Sequence, residues 1–272
     1  SELGISMEDI DLAGSVLNGT GAKALMQIQD AYMDRHPHHI PLLFMMDVIH
    51  GYRTIFPAPI AQGASFDPEI SKRAASVAAR EASAAGIHVV FSPMVDLVRD
   101  PRWGRVMEST GEDPYLNSRF AAAQIHGFQG DDMKEDGKVC GCIKHFAGYG
   151  GAEAGMEYNT VQISEHTFRE YYLPSYEAGI KAGAGMVMTS FNTVNDIPAT
   201  INQKLMRQIL REEMGFDGVL TSDYAAILET VAHGASSDKK DAAYKALLAG
   251  VDIDMMTGCY AGELAKLVKE GT

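Results

Sequence analysis

Residues 216–224 read Phe-Asp-Gly-Val-Leu-Thr-Ser-Asp-Tyr, a short apolar run that stops on an acid. The pair Val219-Leu220 predicts a short buried strand, and Asp223 falls where such a strand leaves the core. Asp223 is therefore expected at the carboxyl-terminal tip of a strand. Parallel α/β proteins place their reactive and binding groups at that end of the sheet.

Two further apolar runs end on ionisable side chains in the same way. Residues 40–47 read Ile-Pro-Leu-Leu-Phe-Met-Met-Asp, and residues 139–145 read Val-Cys-Gly-Cys-Ile-Lys-His. One strand-end acid is often only a helix cap, but three such strands predict a shared active site. Lys144 and His145 are neighbours on one strand, so both reach one pocket only if the backbone bends at the strand tip.

Strand-like and helix-like stretches alternate along most of the chain. The strand candidates are residues 12–17, 40–47, 87–95, 138–145, 184–191, 217–223 and 251–256. Helical patterns lie between several of them, at residues 68–85, 118–128, 165–182 and 203–214. Repeated β-then-α order predicts a parallel sheet, and the 272 residues suit one (β/α)8 barrel of about 250. Thr160–Ile163 is a candidate for the eighth strand, and an open doubly wound sheet is the alternative.

Two helix starts carry a capping signal. Asp67 precedes Pro68, and Ser164 precedes Glu165. A side-chain oxygen at such a position accepts a hydrogen bond from an N–H of the first turn, and proline is favoured at the first helical position. We therefore expect helices to begin at Pro68 and Glu165.

Composition limits the kind of partner. The net charge is −13 with His neutral, whereas nucleic acid or an anionic membrane requires a concentrated basic face. A neutral small molecule suits this charge better.

No apolar run approaches the roughly 18 residues that span a bilayer, so we expect a soluble protein. The odd number of cysteines, Cys140, Cys142 and Cys259, does not suit a disulfide framework and predicts core thiols.

An arginine-rich segment follows the strand candidate 87–95. Residues 99–105 read Arg-Asp-Pro-Arg-Trp-Gly-Arg and hold the only tryptophan. Its first two arginines suit ion pairs with nearby acids, which would pin the loop. Arg105 is the better candidate for a ligand contact, because Gly104 lets the backbone approach a bound molecule.

Four segments together resemble the N-terminal barrel domain of glycoside hydrolase family 3, most strongly that of its bacterial β-glucosidases. They are Met46-Asp47-Val48-Ile49-His50-Gly51, Asp100-Pro101-Arg102-Trp103-Gly104-Arg105, Lys144-His145-Phe146 and Ser222-Asp223-Tyr224. The resemblance runs from about Gly14 to the end of the chain. It implies one barrel domain over residues 1–272, irregular at its first strands and lacking its last helix. It also implies a partner absent from this chain, the family's C-terminal α/β sandwich domain.

The resemblance implies a role for individual residues and an activity. The family's catalytic nucleophile falls on Asp223. The residues that hold hydroxyls of the sugar fall on Asp47, Arg105, Lys144 and His145, and Tyr224 stands where the family often has a Trp beside the sugar. The implied activity is that of an exo-acting, retaining β-glucosidase of a bacterium, and its compartment, cytoplasmic or periplasmic, stays open. It acts on a β-glucoside or oligosaccharide without cofactor or metal.

One carboxyl group of the reaction is missing from this pattern. A retaining glycosidase needs two carboxyl groups about 5 to 5.5 Å apart, and in the β-glucosidase branch the following domain supplies the second. The β-N-acetylhexosaminidase branch carries an Asp-His pair after Lys-His-Phe, which is missing from residues 147–155, Ala-Gly-Tyr-Gly-Gly-Ala-Glu-Ala-Gly. Glu153 and Glu157 are the first candidates if the acid/base residue lies within this chain. Phe191, in place of a common Tyr, is a further departure.

Three other functions stay open at this point. The first is a β-xylosidase or another family 3 glycosidase, and the second is a sugar-binding but inactive domain. The third is an aldolase-like barrel in which Lys144 forms a Schiff base. The aldolase alternative lacks a phosphate-binding loop near the last strands.

Overall fold

The structure of the protein, a computed structural model, describes residues 13–272. Six parallel strands form one sheet in chain order: β1 (Ser15–Leu17), β2 (Leu43–Met46), β3 (Val89–Val90), β4 (Cys140–Phe146), β5 (Met186–Thr189) and β8 (Val219–Thr221). Between the last two, β6 (Thr193–Val194) and β7 (Ile197–Pro198) form a separate antiparallel hairpin. The first strand candidate begins at residue 12, which lies outside the described residues.

This sheet is an incomplete barrel. Six of the seven strand candidates lie in it, but 251–256 contributes only a single bridge, from Ile253 to Thr221. The proposed eighth strand is not part of it, because Val161 pairs instead with Val194 of the hairpin. A doubly wound sheet reverses its strand order at a switch point. The order here runs in one direction, as in a barrel.

Nine α-helices occur in residues 13–272. They are α1 (Ala22–Arg35), α2 (Pro59–Gly63), α3 (Pro68–Ala84), α4 (Pro114–Gln129), α5 (Glu165–Thr167), α6 (Pro174–Lys181), α7 (Ala226–Ala232), α8 (Lys239–Ala249) and α9 (Cys259–Glu270). The chain is π-helical over Phe168–Tyr172 and Lys204–Glu213. Within the described part, no helix is both long and apolar enough to cross a membrane.

Capping side chains fix several of these helix starts. Asp67 Oδ1 accepts a hydrogen bond from the N–H of Glu69 at 3.0 Å, and Ser164 Oγ accepts one from Thr167 at 3.2 Å, so both predicted caps are confirmed. Asp113 caps α4 in the same way, by accepting from Leu116 at 2.7 Å. Helix α4 therefore begins four residues before the predicted start. The predicted helix 165–182 is interrupted, since Pro174 has no N–H to donate within it.

The strands alternate between two apolar clusters. Cys142, Met186 and Met188 face an inner cluster with Met45 and Phe91, all at most 3% exposed. The intervening residues, such as Ile143 and Val187, face an outer cluster packed against the helices. The sheet is thus buried on both faces, which explains its continuous apolar runs. The three cysteines are free thiols, of which Cys142 and Cys259 are buried and Cys140 is half-buried.

Candidate active site

Three strands bring ionisable side chains together at their carboxyl-terminal ends. Asp47 follows β2, Lys144 and His145 lie in β4, and Asp223 follows β8. Lys144 Nζ is 2.7 Å from Asp47 Oδ1, and His145 Nε2 is 3.5 Å from Asp223 Oδ2. All four side chains singled out at strand ends therefore belong to one site.

Asp223 is a buried carboxyl group with one free oxygen. The residue is 7% exposed, and its Oδ1 accepts a hydrogen bond from the N–H of Tyr224 at 2.6 Å. Its Oδ2 has no hydrogen-bond partner within residues 13–272. Burial raises the pKa of Asp223 from 3.8 to about 6, against the Tyr224 N–H and the positive charges of Lys144 and Arg105, which lower it. The free oxygen is the atom available to a bound molecule.

The raised pKa of Asp223 predicts that its charge destabilises the folded protein. Because the folded-state pKa lies above the unfolded value, stability is highest below about pH 4, falls as the pH rises to about 6, and is constant above. The two pH units of pKa shift correspond to about 3 kcal/mol. In chemical unfolding at pH 7, Asp223→Asn is expected to be more stable than wild type by up to that amount.

The difference should shrink towards zero below about pH 3, where Asp223 is neutral in both states. Asp217→Asn is the matched control, because Asp217 is exposed at the other end of the same strand. Equal stability of wild type and Asp223→Asn across this pH range would contradict the burial argument.

Lys144 and His145 both reach the site although they are adjacent in β4. The peptide bond between them is cis. The Lys144 side chain is 4% exposed and that of its partner Asp47 is 58% exposed, whereas the His145 side chain is 1% exposed. The ammonium group is therefore held inside the site by a carboxylate that lies at its mouth.

The backbone N–H and the ring of His145 both contact Asp96, for which the sequence predicted no role. Asp96 Oδ2 accepts hydrogen bonds from the backbone N–H of His145 at 3.0 Å and lies 2.8 Å from its Nδ1. The hydroxyl of Tyr176 lies 2.7 Å from Asp96 Oδ1. Burial, with the positive charges of Arg105 and Lys144, holds the pKa of His145 well below its usual value, so the imidazole is neutral. Asp96 follows the strand candidate 87–95, a signal that could have found it.

The guanidinium of Arg105, the predicted ligand contact, already donates hydrogen bonds within the protein. Its Nε and Nη2 donate to both oxygens of Glu108, at 2.7 and 2.8 Å. The guanidinium also lies over the ring of Tyr149, 5.6 Å from its centroid, and lowers the pKa of Asp223 electrostatically. Arg105 thus lies at the site with one face engaged. Of the other two arginines in the segment, Arg102 pairs with Asp100 and Arg99 lies over the ring of Tyr171.

An aromatic cluster forms one wall of the site. Tyr149 is fully buried and contacts Trp103, His145 and Phe191, with ring centroids 5.2, 5.2 and 5.9 Å away. Tyr158 continues the cluster beyond Phe191 and is 44% exposed. The sequence did not indicate Tyr149 or Tyr158. Tyr224 is 53% exposed, and its contact with Asp223 is through the backbone N–H.

The two glutamates named as acid/base candidates differ in their surroundings. Glu157 Oε2 accepts a hydrogen bond from Trp103 Nε1 at 2.5 Å, and burial raises its pKa. Glu153 is exposed. In the described part of the chain, no three His, Cys, Asp or Glu side chains are grouped so that they could hold a metal ion.

Residues 8–272 match the model of the glycosyl hydrolase family 3 N-terminal domain. A periplasmic β-glucosidase of Salmonella typhimurium is 40% identical over 258 residues, which are 95% of this chain and 34% of that protein. A β-xylosidase of Formosa agariphila is 40% identical over 215 residues, 77% of this chain and 30% of that protein. The chain thus spans about a third of the length of these curated relatives.

A solved structure shows the same fold. The crystal structure of a β-glucosidase from Listeria innocua in complex with isofagomine is 52% identical, with a TM-score of 0.97 over 100% of this chain and 38% of that one. The chain belongs to glycosyl hydrolase family 3, as its N-terminal domain.

Proposed function

We propose that this chain is the nucleophile-bearing domain of an exo-acting, retaining β-glucosidase that removes terminal β-D-glucosyl units. One observation supports this most directly: Asp223 presents a buried carboxylate oxygen without a partner, at a strand tip beside Lys144 and His145. A desolvated carboxylate oxygen that accepts no hydrogen bond from residues 13–272 is suited to attack an electrophilic carbon.

In the proposed reaction Asp223 attacks the anomeric carbon, and a glycosyl–enzyme ester forms as the aglycone leaves. Water then cleaves the ester and releases the sugar with the configuration retained. Asp47 accepts hydrogen bonds from hydroxyls remote from the reacting carbon, while Lys144 and Arg105 donate to others. His145 contacts a further hydroxyl, and Tyr224 borders the sugar.

The reaction also needs an acid/base carboxyl group, which we propose comes from a second domain. The chain spans 34% and 38% of two family members that it matches, so those proteins have room for more than one domain. In this proposal residues 1–272 form a single domain with a (β/α)8-like barrel. Its sheet continues past the single bridge at Ile253 until the barrel is complete. The exposed side of Asp47 then faces the neighbouring domain.

A β-xylosidase is the second candidate, because relatives of both kinds are 40% identical to this chain. The two substrates differ by the hydroxymethyl group at carbon 5 of the sugar. Comparing kcat/KM for aryl β-glucoside and aryl β-xyloside of the intact protein discriminates between them. A glucosidase should favour the glucoside by at least about tenfold, since binding of one additional group contributes about 1–3 kcal/mol.

Covalent labelling tests the proposed function. The intact protein is incubated with a 2-deoxy-2-fluoro-β-glucoside that has a good leaving group, digested, and mapped by mass spectrometry. The label should be found on the peptide that contains Asp223, because the fluorine slows both formation and hydrolysis of the ester, whereas the good leaving group speeds its formation only. A label on another carboxylate would contradict the assignment, and trapping of Lys144 by borohydride with a carbonyl substrate would favour the aldolase alternative.

Asp47→Ala is expected to weaken transition-state binding by about 3 to 5 kcal/mol, since it leaves the buried Lys144 ammonium and the sugar hydroxyls without an anionic partner. That corresponds to a fall of roughly two to nearly four powers of ten in kcat/KM. Steady-state kinetics on aryl β-glucosides measures it. Glu177→Ala is the control, because it breaks an exposed ion pair with Lys181 on α6. Wild-type efficiency of Asp47→Ala would make Asp47 a structural residue.

A further inference from the structure

The hydroxyl of Tyr176 contacts two groups but has only one proton to donate. It lies 2.7 Å from Asp96 Oδ1 and 2.5 Å from the backbone carbonyl oxygen of His145. A carbonyl oxygen can only accept, so Tyr176 donates to it. If Asp96 were ionised, its Oδ1 and the hydroxyl oxygen of Tyr176 would lie 2.7 Å apart with no proton between them. Both contacts are hydrogen bonds only if Asp96 Oδ1 carries a proton and donates to Tyr176.

The other oxygen of Asp96 fixes the state of His145. Asp96 Oδ2 accepts from the backbone N–H of His145, so this oxygen is held as an acceptor. His145 Nδ1 lies 2.8 Å from the same oxygen and must therefore carry the imidazole proton. All three residues are at most 1% exposed, and no other side chain of residues 13–272 is hydrogen-bonded to the His145 ring.

We propose that Asp96, as a neutral carboxylic acid bonded to Tyr176, is a positioning residue that holds His145 in the Nδ1–H form, so that Nε2 accepts a hydrogen bond from one hydroxyl of the sugar beside Asp223. Nε2 lies 3.5 Å from Asp223 Oδ2, so two acceptors border one space and a hydroxyl donor fits there. This inference rests on the proposed function for its substrate class. The protonation of Asp96 and His145 does not depend on it.

The charges around the pair agree with this arrangement. Burial raises the pKa of Asp96 to about 7, although the His145 N–H and the positive charge of Arg105 lower it; Glu108 adds to the rise. Lys144 and Arg105 both oppose a positive charge on His145. An ionised Asp96 paired with an imidazolium would need two buried charges, whereas the neutral pair needs none.

Kinetics of Asp96 variants in the intact protein test the positioning role. Asp96→Ala should lower kcat/KM for aryl β-glucosides by about 10- to 100-fold, as removal of a residue that orients a ligand typically does. Asp96→Asn should recover activity to within about fivefold of wild type, because its amide oxygen can accept from His145 while its NH₂ donates to Tyr176. Ser175→Ala is the control, since Ser175 is equally buried and bonds only the Val95 carbonyl.

The same variants also distinguish positioning from general damage. A series of monodeoxy glucosides should contain one member on which Asp96→Ala causes little further loss, because that substrate lacks the hydroxyl that donates to Nε2. If Asp96→Asn loses as much activity as Asp96→Ala, the negative charge matters and the proposal is wrong; in a charge-stabilised triad the Asn variant costs about 10⁴-fold. Equal losses on every deoxy substrate would also overturn it.

An infrared measurement decides the protonation without any turnover. At pH 6 the wild-type protein should show the carbonyl band of a neutral carboxyl group that Asp96→Asn lacks. Absence of this difference band would overturn the proposal even in an active enzyme. If the protein hydrolyses no glycoside, the proposed function fails, while the infrared result still tests Asp96. Should Asp96→Ala not fold, Asp96→Asn and the infrared band are sufficient, and a loss above about 100-fold in the Asn variant counts against the proposal.

Discussion

Asp223→Ala in the intact protein is expected to lower kcat for aryl β-glucosides by several powers of ten, on the order of 10⁴ to 10⁶. In the proposed mechanism the variant lacks the oxygen that forms the glycosyl–enzyme bond, and no other carboxylate among residues 13–272 is assigned to take its place. Binding should change far less, because Asp47 and Lys144 are still paired at 2.7 Å. The measurement is kcat and KM on an activated aryl glucoside.

Azide is a useful addition to this assay. A small external anion can enter the space left by the Asp223 carboxyl group and attack the anomeric carbon, so azide should restore part of the activity and give the α-glucosyl azide. Asp217→Ala is the control, because it removes an exposed acid at the other end of β8. A product azide of β configuration, or a loss of less than about tenfold, would show that Asp223 is not the nucleophile.

The 272-residue chain on its own is expected to hydrolyse cellobiose at least about 10² to 10⁴ times more slowly than the intact protein, since protonation of the leaving group contributes roughly that factor. Substrates with activated aryl leaving groups need this proton least and should show a smaller deficit. Part of the remaining loss should appear in KM, because Asp47 is 58% exposed without a neighbouring domain. Both substrates are assayed with each protein after circular dichroism has shown that the isolated chain is folded.

Cellobiose turnover of the isolated chain equal to that of the intact protein would place the acid/base residue within these residues. Glu157 would then be substituted first, because burial raises its pKa and Trp103 Nε1 holds it at 2.5 Å. Glu153, exposed like Glu157 and on the same segment, is the matched comparison. A loss of activity in Glu157→Gln but not in Glu153→Gln would identify the residue.

Much of the site could be predicted from local sequence. The apolar runs before Asp47 and Asp223 became strands with the acid just past the tip, whereas β4 continues through the buried Lys144 and His145 to Phe146. The caps at Asp67 and Ser164 were equally local, since one side chain and one backbone N–H decide them.

The parts that sequence did not predict depend on contacts between distant segments. The role of Asp96 depends on its contact with His145, which is 49 residues away in the sequence. The pairing of β3 with β4 brings the two residues together. Residues 251–256 look like a strand, yet within residues 13–272 they form only one bridge pair, Ile253 with Thr221. The π-helical turns at Phe168–Tyr172 and Lys204–Glu213 were predicted as ordinary helix, because periodicity alone does not distinguish the two.

The chain order of the sheet has a consequence for how the protein assembles during synthesis. Each strand from β2 to β5 pairs with the strand that precedes it, so the sheet can grow from its amino-terminal side as the chain leaves the ribosome. Asp47, Asp96, Lys144 and His145 all precede β8 in the chain. An unfinished chain can therefore form most of the proposed sugar-binding groups before it has the proposed nucleophile. The free oxygen of Asp223 enters the site only with β8, the last strand of the sheet.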